Sequence, residues 1–223
     1  MNLKDLRGAT RDRLDDWAQP FGWSDAEINA WINEAVQEAS LRAGLNVEVV
    51  SVATRPNIAK LQLPDVLAFI HEVRWIATPI DSMSRWRVLA RFNQRALVSD
   101  WTDNPIIVGD PARYTVEGRY FWLYPMPEVA GRLEFRANVY PPPLERDSDE
   151  PDLPPALHRH LLEWVIYRAG QKRDEDYMLP NPEQYEINFA RVFGSRAGAA
   201  TQQAWLQYGG TSTASSCERR PLF

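Results

Sequence analysis

The chain has 223 residues, 44% hydrophobic and 25% charged, which suffices for one domain with a substantial core or one domain with an elaborated insert. A net charge of -5 argues against a protein whose main task is neutralising phosphates, since such domains are usually basic. One cysteine, Cys217, excludes an intrachain disulfide framework and a cysteine-based zinc site.

No apolar run reaches about 18 residues, and Met1-Asn2-Leu3-Lys4-Asp5 lacks an apolar signal core. The expectation is a soluble protein, made in the cytoplasm, with no membrane partner. Nine tryptophans are many for this length, and an aromatic surplus can fill a core or mark interfaces.

Residues 3–17 read as a helix, with Leu3, Leu6, Thr10, Leu14 and Trp17 at helical spacing and Asn2 as N-cap. Pro20 and Gly22 interrupt it. The next helix, 25–43, is better punctuated. Ser24 and Glu27 form a capping box, Trp23 and Ile28 can staple it, and Gly44 stands at the C-cap. Its apolar stripe is Ile28, Trp31, Ile32, Ala35, Val36 and Ala39.

From Leu45 the period changes, opening a β-rich insert over 45–140. Val47 to Thr54 and Ile58 to Leu63 flank Arg55-Pro56-Asn57 and predict a hairpin. Phe69 to Ala77 is apolar on both faces, which predicts a strand covered on both sides. Val88, Leu89, Phe92, Ala96 and Leu97 predict a short helix over 86–98.

The segment Gly109 to Arg168 gives the chain its organisation. The reading is an antiparallel hairpin of 112–124 with 131–140, turning at Pro125 to Gly131, with both prolines outside the paired region. Leu133, Phe135, Ala137 and Val139 alternate with Glu134, Arg136 and Asn138, as in a strand with one buried face. An acidic, proline-rich loop leads into a helix over 155–173, where Leu157, Leu161, Trp164, Val165 and Arg168 recur. A last helix, 182–193, starts at Asn181 as cap with Pro182 at its first position. Beyond Gly194, Ala, Gly, Ser, Thr and Gln dominate, a composition that does not build a core. The fold class is α+β: a bundle of N- and C-terminal helices, a β-rich insert, and an extended C-terminal arm. The expected division is a body of 1–195 and an arm of 196–223.

The order of Gly109, Pro111, Tyr114, Leu123, Pro125, Pro127, Tyr140, Leu153 and Pro154 resembles the head-to-tail adaptor (connector) proteins of tailed bacteriophages. With the N-terminal helices, the similarity spans residues 1 to 195. The resemblance implies a structural virion protein in the neck, between capsid portal and tail. It implies a homo-oligomeric ring, typically dodecameric, beneath the portal protein and joined to a tail or nozzle protein. The ring would line the channel that DNA traverses without sequence-specific binding. A tail-tube or tail-completion protein of the same apparatus is one alternative, and a metal-dependent nuclease or hydrolase is another.

The residues point to no enzyme. There is no Gly-rich phosphate loop, nucleophile elbow or His-Glu-x-x-His motif. His158 and His160 diverge on a helix, while His160 and Glu163 share a face, too few groups for a metal. Asp147, Asp149, Glu150 and Asp152 could collect a cation, but read better as a solvated linker placing negative charge near a helix N-terminus. No cofactor or metal is expected. Arg85, Arg87, Arg91 and Arg95 near Trp86 and Phe92 read as the exposed face of the 86–98 helix, or as a basic ring facing DNA. Trp122 reads as core. The candidate portal-binding arm carries Trp205, Leu206 and Tyr208, then Arg219, Arg220, Leu222 and Phe223. Aromatic anchors in a segment without its own core are typical of interface hot spots.

Overall fold

The computed structural model describes residues 1–19, 21–78, 86–92, 107–172 and 181–196. Helix α1 spans Leu3–Leu14 and α2 spans Asp25–Ala43. Both begin with reciprocal capping boxes, Asn2 with Asp5 and Ser24 with Glu27, so two orphan donors are satisfied at each end. Gly44 closes α2 at φ 63°, the left-handed conformation that glycine adopts without a Cβ penalty.

Helix α1 ends three residues earlier than its spacing predicts. Asp15 turns left-handed at φ 53°, and the buried Asp16 carboxylate takes over the chain's course. Its Oδ2 accepts from Arg11 at 2.6 Å and its Oδ1 from the Gly22 amide at 2.8 Å. Trp17, expected on the apolar stripe, is therefore exposed.

The C-terminal helical region opens with a 3₁₀ turn, Pro155–His160, and continues as α3, Leu161–Gln171. The last helix, α4, spans Glu183–Phe193. Asn181 sits at φ 53° and no side chain caps α4, so the helix starts one residue later than expected. The four helices share one core. Leu3, Leu6, Ile28, Ile32, Ala35 and Ala39 meet Leu161, Trp164, Val165, Phe189 and Phe193, all buried. The expected bundle is thus present.

The insert contains two facing sheets. The first comprises β1 (Val47–Thr54), β10 (Gly131–Val139), β3 (Leu67–Ala77) and β4 (Trp86–Val88), in that order and antiparallel throughout. The second comprises β2 (Lys60–Gln62), β8 (Tyr120–Tyr124), β7 (Arg113–Glu117) and β5 (Ala90–Arg91). A two-stranded pair joins β6 (Val108–Gly109) to β9 (Met126–Pro127). Val73, Trp75, Leu133 and Phe135 of the first sheet meet Tyr114, Phe121 and Leu123 of the second. Phe121 stacks on Tyr114 at 4.8 Å and meets Phe135 edge-on at 5.1 Å, the geometry aromatic quadrupoles favour.

This topology corrects four expectations. The segments around Arg55-Pro56-Asn57 do not pair: the turn carries the chain from one sheet to the other. β1 finds an eight-residue antiparallel match in β10, whereas β2 offers only three residues. Residues 112–124 do not pair with 131–140 either. They fold on themselves as β7 and β8, because Gly118 supplies positive φ (58°) for a tight turn. Pro125 lies outside any ladder, but Pro127 belongs to β9. Residues 86–91 are strand, not helix. Leu89 points into the core while Trp86 and Val88 point out, a period-two pattern that short apolar runs share with helices. Residues 93–98 lie outside the described ones. Finally, β3 is covered on both sides only at its start: the bulge opposite Arg136 and Ala137 turns Ile70 onto the face that Val73, Trp75 and Ala77 bury between the sheets and the buried Phe69 onto the other, which is open further along at Arg74.

Gly131 marks where the first sheet closes most tightly. A Cβ there would lie 2.6 Å from Trp75 Nε1 and 2.7 Å from the Ile76 carbonyl oxygen. The insert is joined to the bundle at Asn138, which is buried. Its Nδ2 donates to the Leu45 carbonyl at 2.5 Å, and its Oδ1 meets His71 Nε2 at 2.6 Å.

Candidate functional site

The polar clusters singled out in the sequence have structural occupations. Asp149 Oδ2 accepts from the backbone amides of Arg146 and Glu145 at 2.8 and 3.0 Å, and these bonds hold its carboxyl below the usual carboxylate range. Asp147 Oδ1 pairs with Arg7 at 2.7 Å. The backbone carbonyls of Asp149 and Asp147 accept from the Leu3 and Lys4 amides, which opens α1. The linker does place negative charge at a helix N-terminus, and that helix is α1. His158 is buried, with Nε2 at 2.9 Å from the Leu153 carbonyl oxygen. His160 is exposed, and Glu163 turns instead to Arg13 at 2.7 Å and Asn188 at 3.2 Å. Among the described residues, no three of His, Cys, Asp or Glu converge as metal ligands. Nor is any described helix long and apolar enough to cross a membrane.

The arginine stripe does not form. Arg87 lies in β4 and Arg91 in β5, on different sheets, while Arg85 and Arg95 lie outside the described residues. Burial lowers the Arg91 pKa and raises that of neighbouring Tyr114. Trp122 is not core. It is half-buried on the outer face of β8, between exposed Tyr120 and half-buried Tyr124. Lys60 lies over the Tyr120 ring at 3.8 Å and the Trp122 ring at 5.1 Å. The second sheet thereby presents a ladder of aromatic rings flanked by cations.

Two features escaped the sequence reading. The first is the cluster around Arg42 and Arg196, the last described residue. Arg42, buried near the end of α2, donates to Glu38 and Glu186 at 2.9 Å and lies 4.9 Å from the Trp164 ring and 5.2 Å from Phe189. Arg196 joins it, donating to Glu38 at 2.9 Å and lying 5.2 Å from the same Trp164 ring. Burial would raise the Glu38 pKa, but the hydrogen bonds from Arg196 and Arg42 together prevail and lower it. Arg196 in turn is held above its ordinary value by its bond to Glu38. The i, i+4 spacing of Glu38 and Arg42 was the available sequence signal. Arg196 is thereby fixed between α2 and α3. Trp205, Leu206, Tyr208, Arg219, Arg220, Leu222 and Phe223 lie beyond it, outside the described residues.

The second is the set of uncovered apolar side chains at the edges of the first sheet. Val47 and Val49 on β1 are 46% and 62% exposed, and Trp86 and Val88 on β4 are 65% and 47% exposed. Contiguous uncovered apolar groups at a strand edge mark interaction surfaces.

The family model for the SU10 adaptor protein matches residues 1–213, and the chain belongs to that family. It is accordingly a structural protein of the virion, a head-to-tail adaptor. No curated protein matches it. Among solved structures, a chain from the neck of an empty GTA particle, computed with C6 symmetry, is 14% identical. That match covers 86% of this chain and 92% of the other, at a TM-score of 0.30.

Proposed function

We propose that the protein forms a ring, dodecameric as in the adaptors it resembles, docked beneath the portal in the neck of the particle. The helical bundle builds the ring wall. The β-rich insert contacts neighbouring subunits and a tail or nozzle protein. DNA traverses the channel without being read or held, which suits a chain of net charge -5. The role is structural and not catalytic, and requires no cofactor. Family membership favours neither the tail-completion nor the nuclease alternative.

We further propose that residues 1–195 act as the body and 196–223 as an arm that extends from its own subunit onto the portal. One observation carries this reading. Among the described residues the last core side chain is Phe193, and the family match runs on to residue 213, across Trp205, Leu206 and Tyr208. Trp205 and Phe223 serve as anchors, with Leu206, Tyr208 and Leu222 beside them, and Arg219 and Arg220 meet acidic groups. An arm of this kind can add a strand to a portal sheet edge.

The test is a chain ending at Arg196. It should keep the melting temperature of the full protein and lose capture by immobilised portal rings. Undiminished capture refutes the arm. A large fall in melting temperature shows instead that the segment belongs to the core.

A further inference from the structure

Among the described residues the first sheet has two open edges. β1 pairs only with β10 and β4 only with β3, and among the described residues no other backbone group bonds to the far side of either strand. Long edge strands are normally guarded by a lysine, a proline or a bulge. β1 has no lysine, proline or bulge, and its one charge is Glu48. It reads Val-Glu-Val-Val-Ser-Val-Ala-Thr and pairs with β10 over all eight residues without a register shift.

The two edges are complementary in direction. The sheet has four strands and every pair is antiparallel, so β1 and β4 run oppositely. A second copy in the same orientation can set its β4 beside this β1 and continue the antiparallel order without a break.

They are also complementary in side chains. Val50 and Val52 pack on the core between the sheets, so Val47, Val49, Ser51 and Ala53 face outward. Trp86 and Val88 pair with Ile76 and Arg74 on that same outward face. One register satisfies everything at once. With Glu48 opposite Arg87, Val47 falls opposite Val88 and Val49 opposite Trp86. Glu48 and Arg87 are both exposed, and neither has an ion-pair partner among the described residues. A slip of one residue would turn the valines away from Trp86 and Val88, onto opposite faces.

We propose that β1 of one copy pairs with β4 of the next in this register, joining the first sheets of adjacent subunits into a continuous collar. The contact uses two different patches, so repetition gives a ring and not a two-fold dimer. The inference rests on the ring reading above and adds the residues that join its subunits.

Cross-linking tests it. In a Cys217→Ser background, Val49→Cys and Trp86→Cys are combined in the full chain, assembled on purified portal rings and oxidised mildly. Directly opposed positions bring the Cβ atoms to about 4.5–5.5 Å, so a small approach of the two strands reaches the disulfide limit of about 4.5 Å. The expected result is a ladder of covalent multimers on a non-reducing gel, absent from either single variant. Covalent dimers from Val49→Cys alone would mean symmetric edge pairing and overturn the proposal. Mass photometry of the same sample separates the two claims. Assembled rings without a ladder overturn the β1–β4 junction and leave the ring standing, whereas no assembly overturns both. Charge reversal supplies a second reading that leaves the exposed apolar positions intact. Glu48→Arg or Arg87→Glu alone should lower the assembled fraction about tenfold, as like charges meet. Combining the two should restore it, and failure of the pair to recover overturns the register.

Discussion

Trp164 is the side chain on which the bundle depends most. It is 1% exposed and touches three elements. Its ring lies 5.3 Å from Tyr167 of its own helix and 5.2 Å from Phe189 of α4, with Arg42 of α2 and Arg196 at the arm root stacked against it. Trp164→Ala removes a fully buried aromatic, which costs about 3–5 kcal/mol in transfer and cavity terms. Two cation–π contacts go with it, of the order of 0.5–1 kcal/mol each. A loss near about 5 kcal/mol follows, or roughly 10–20 °C in Tm for a chain of this size. The Trp164 indole N–H is buried and meets no hydrogen-bond partner among the described residues. Trp164→Phe therefore removes an unsatisfied donor along with the contacts, and should cost well under half as much. Thermal unfolding followed by circular dichroism, with urea titration as a check, measures both. A Trp164→Ala protein melting within about 2 °C of the parent refutes the shared core.

Gly131→Ala should destabilise by about 1–3 kcal/mol or more, since its Cβ meets Trp75 and the Ile76 carbonyl below contact distance. Gly8→Ala, in open space on α1, should instead stabilise by about 0.5–1 kcal/mol, and equal effects in urea melts would contradict the geometry. The bond from Lys172, reinforced by Ser24, lowers the Glu27 pKa to about 2. A depressed carboxylate adds stability above its ordinary pKa of 4.5 and loses it as pH falls toward about 2. Glu27→Gln should therefore lower stability near neutrality by about 0.2–1 kcal/mol, the small figure reflecting an exposed pair, flatten the curve between pH 4.5 and about 2, and have no effect at the acid end of that window.

The helices were legible because their signals are local. Ser24 and Glu27, Gly44, and the stripe from Ile28 to Ala39 each state their role within one or two turns. The strands were legible as strands but not as partners. Nothing near Val47 says that its mate is Asn138, 91 positions on, while the adjacent turn at Pro56 invites the wrong hairpin. Pairing is decided by which match buries the most apolar surface, and that is a property of the whole insert. Leu89 shows the same limit: helical and alternating periods coincide over so short a run. Of the functional surfaces, Trp122 was read from its strand alone as core, because alternation tells that faces differ and not which one is covered. Arg42 and Arg196 needed the fold to bring them together across 154 positions, from 42 to 196. The open edges of β1 and β4 became visible only once β10 and β3 had taken the central places.

The central claim is that the chain docks as a ring on the portal, and mass photometry tests it most directly. Purified portal rings are weighed alone and with excess full-length protein. A single discrete rise in mass, matching a dodecamer of 25.6 kDa chains and absent with the chain ending at Arg196, is the predicted result. A portal mass that stays unchanged at saturating protein, with the chain remaining at its monomer mass, would contradict it.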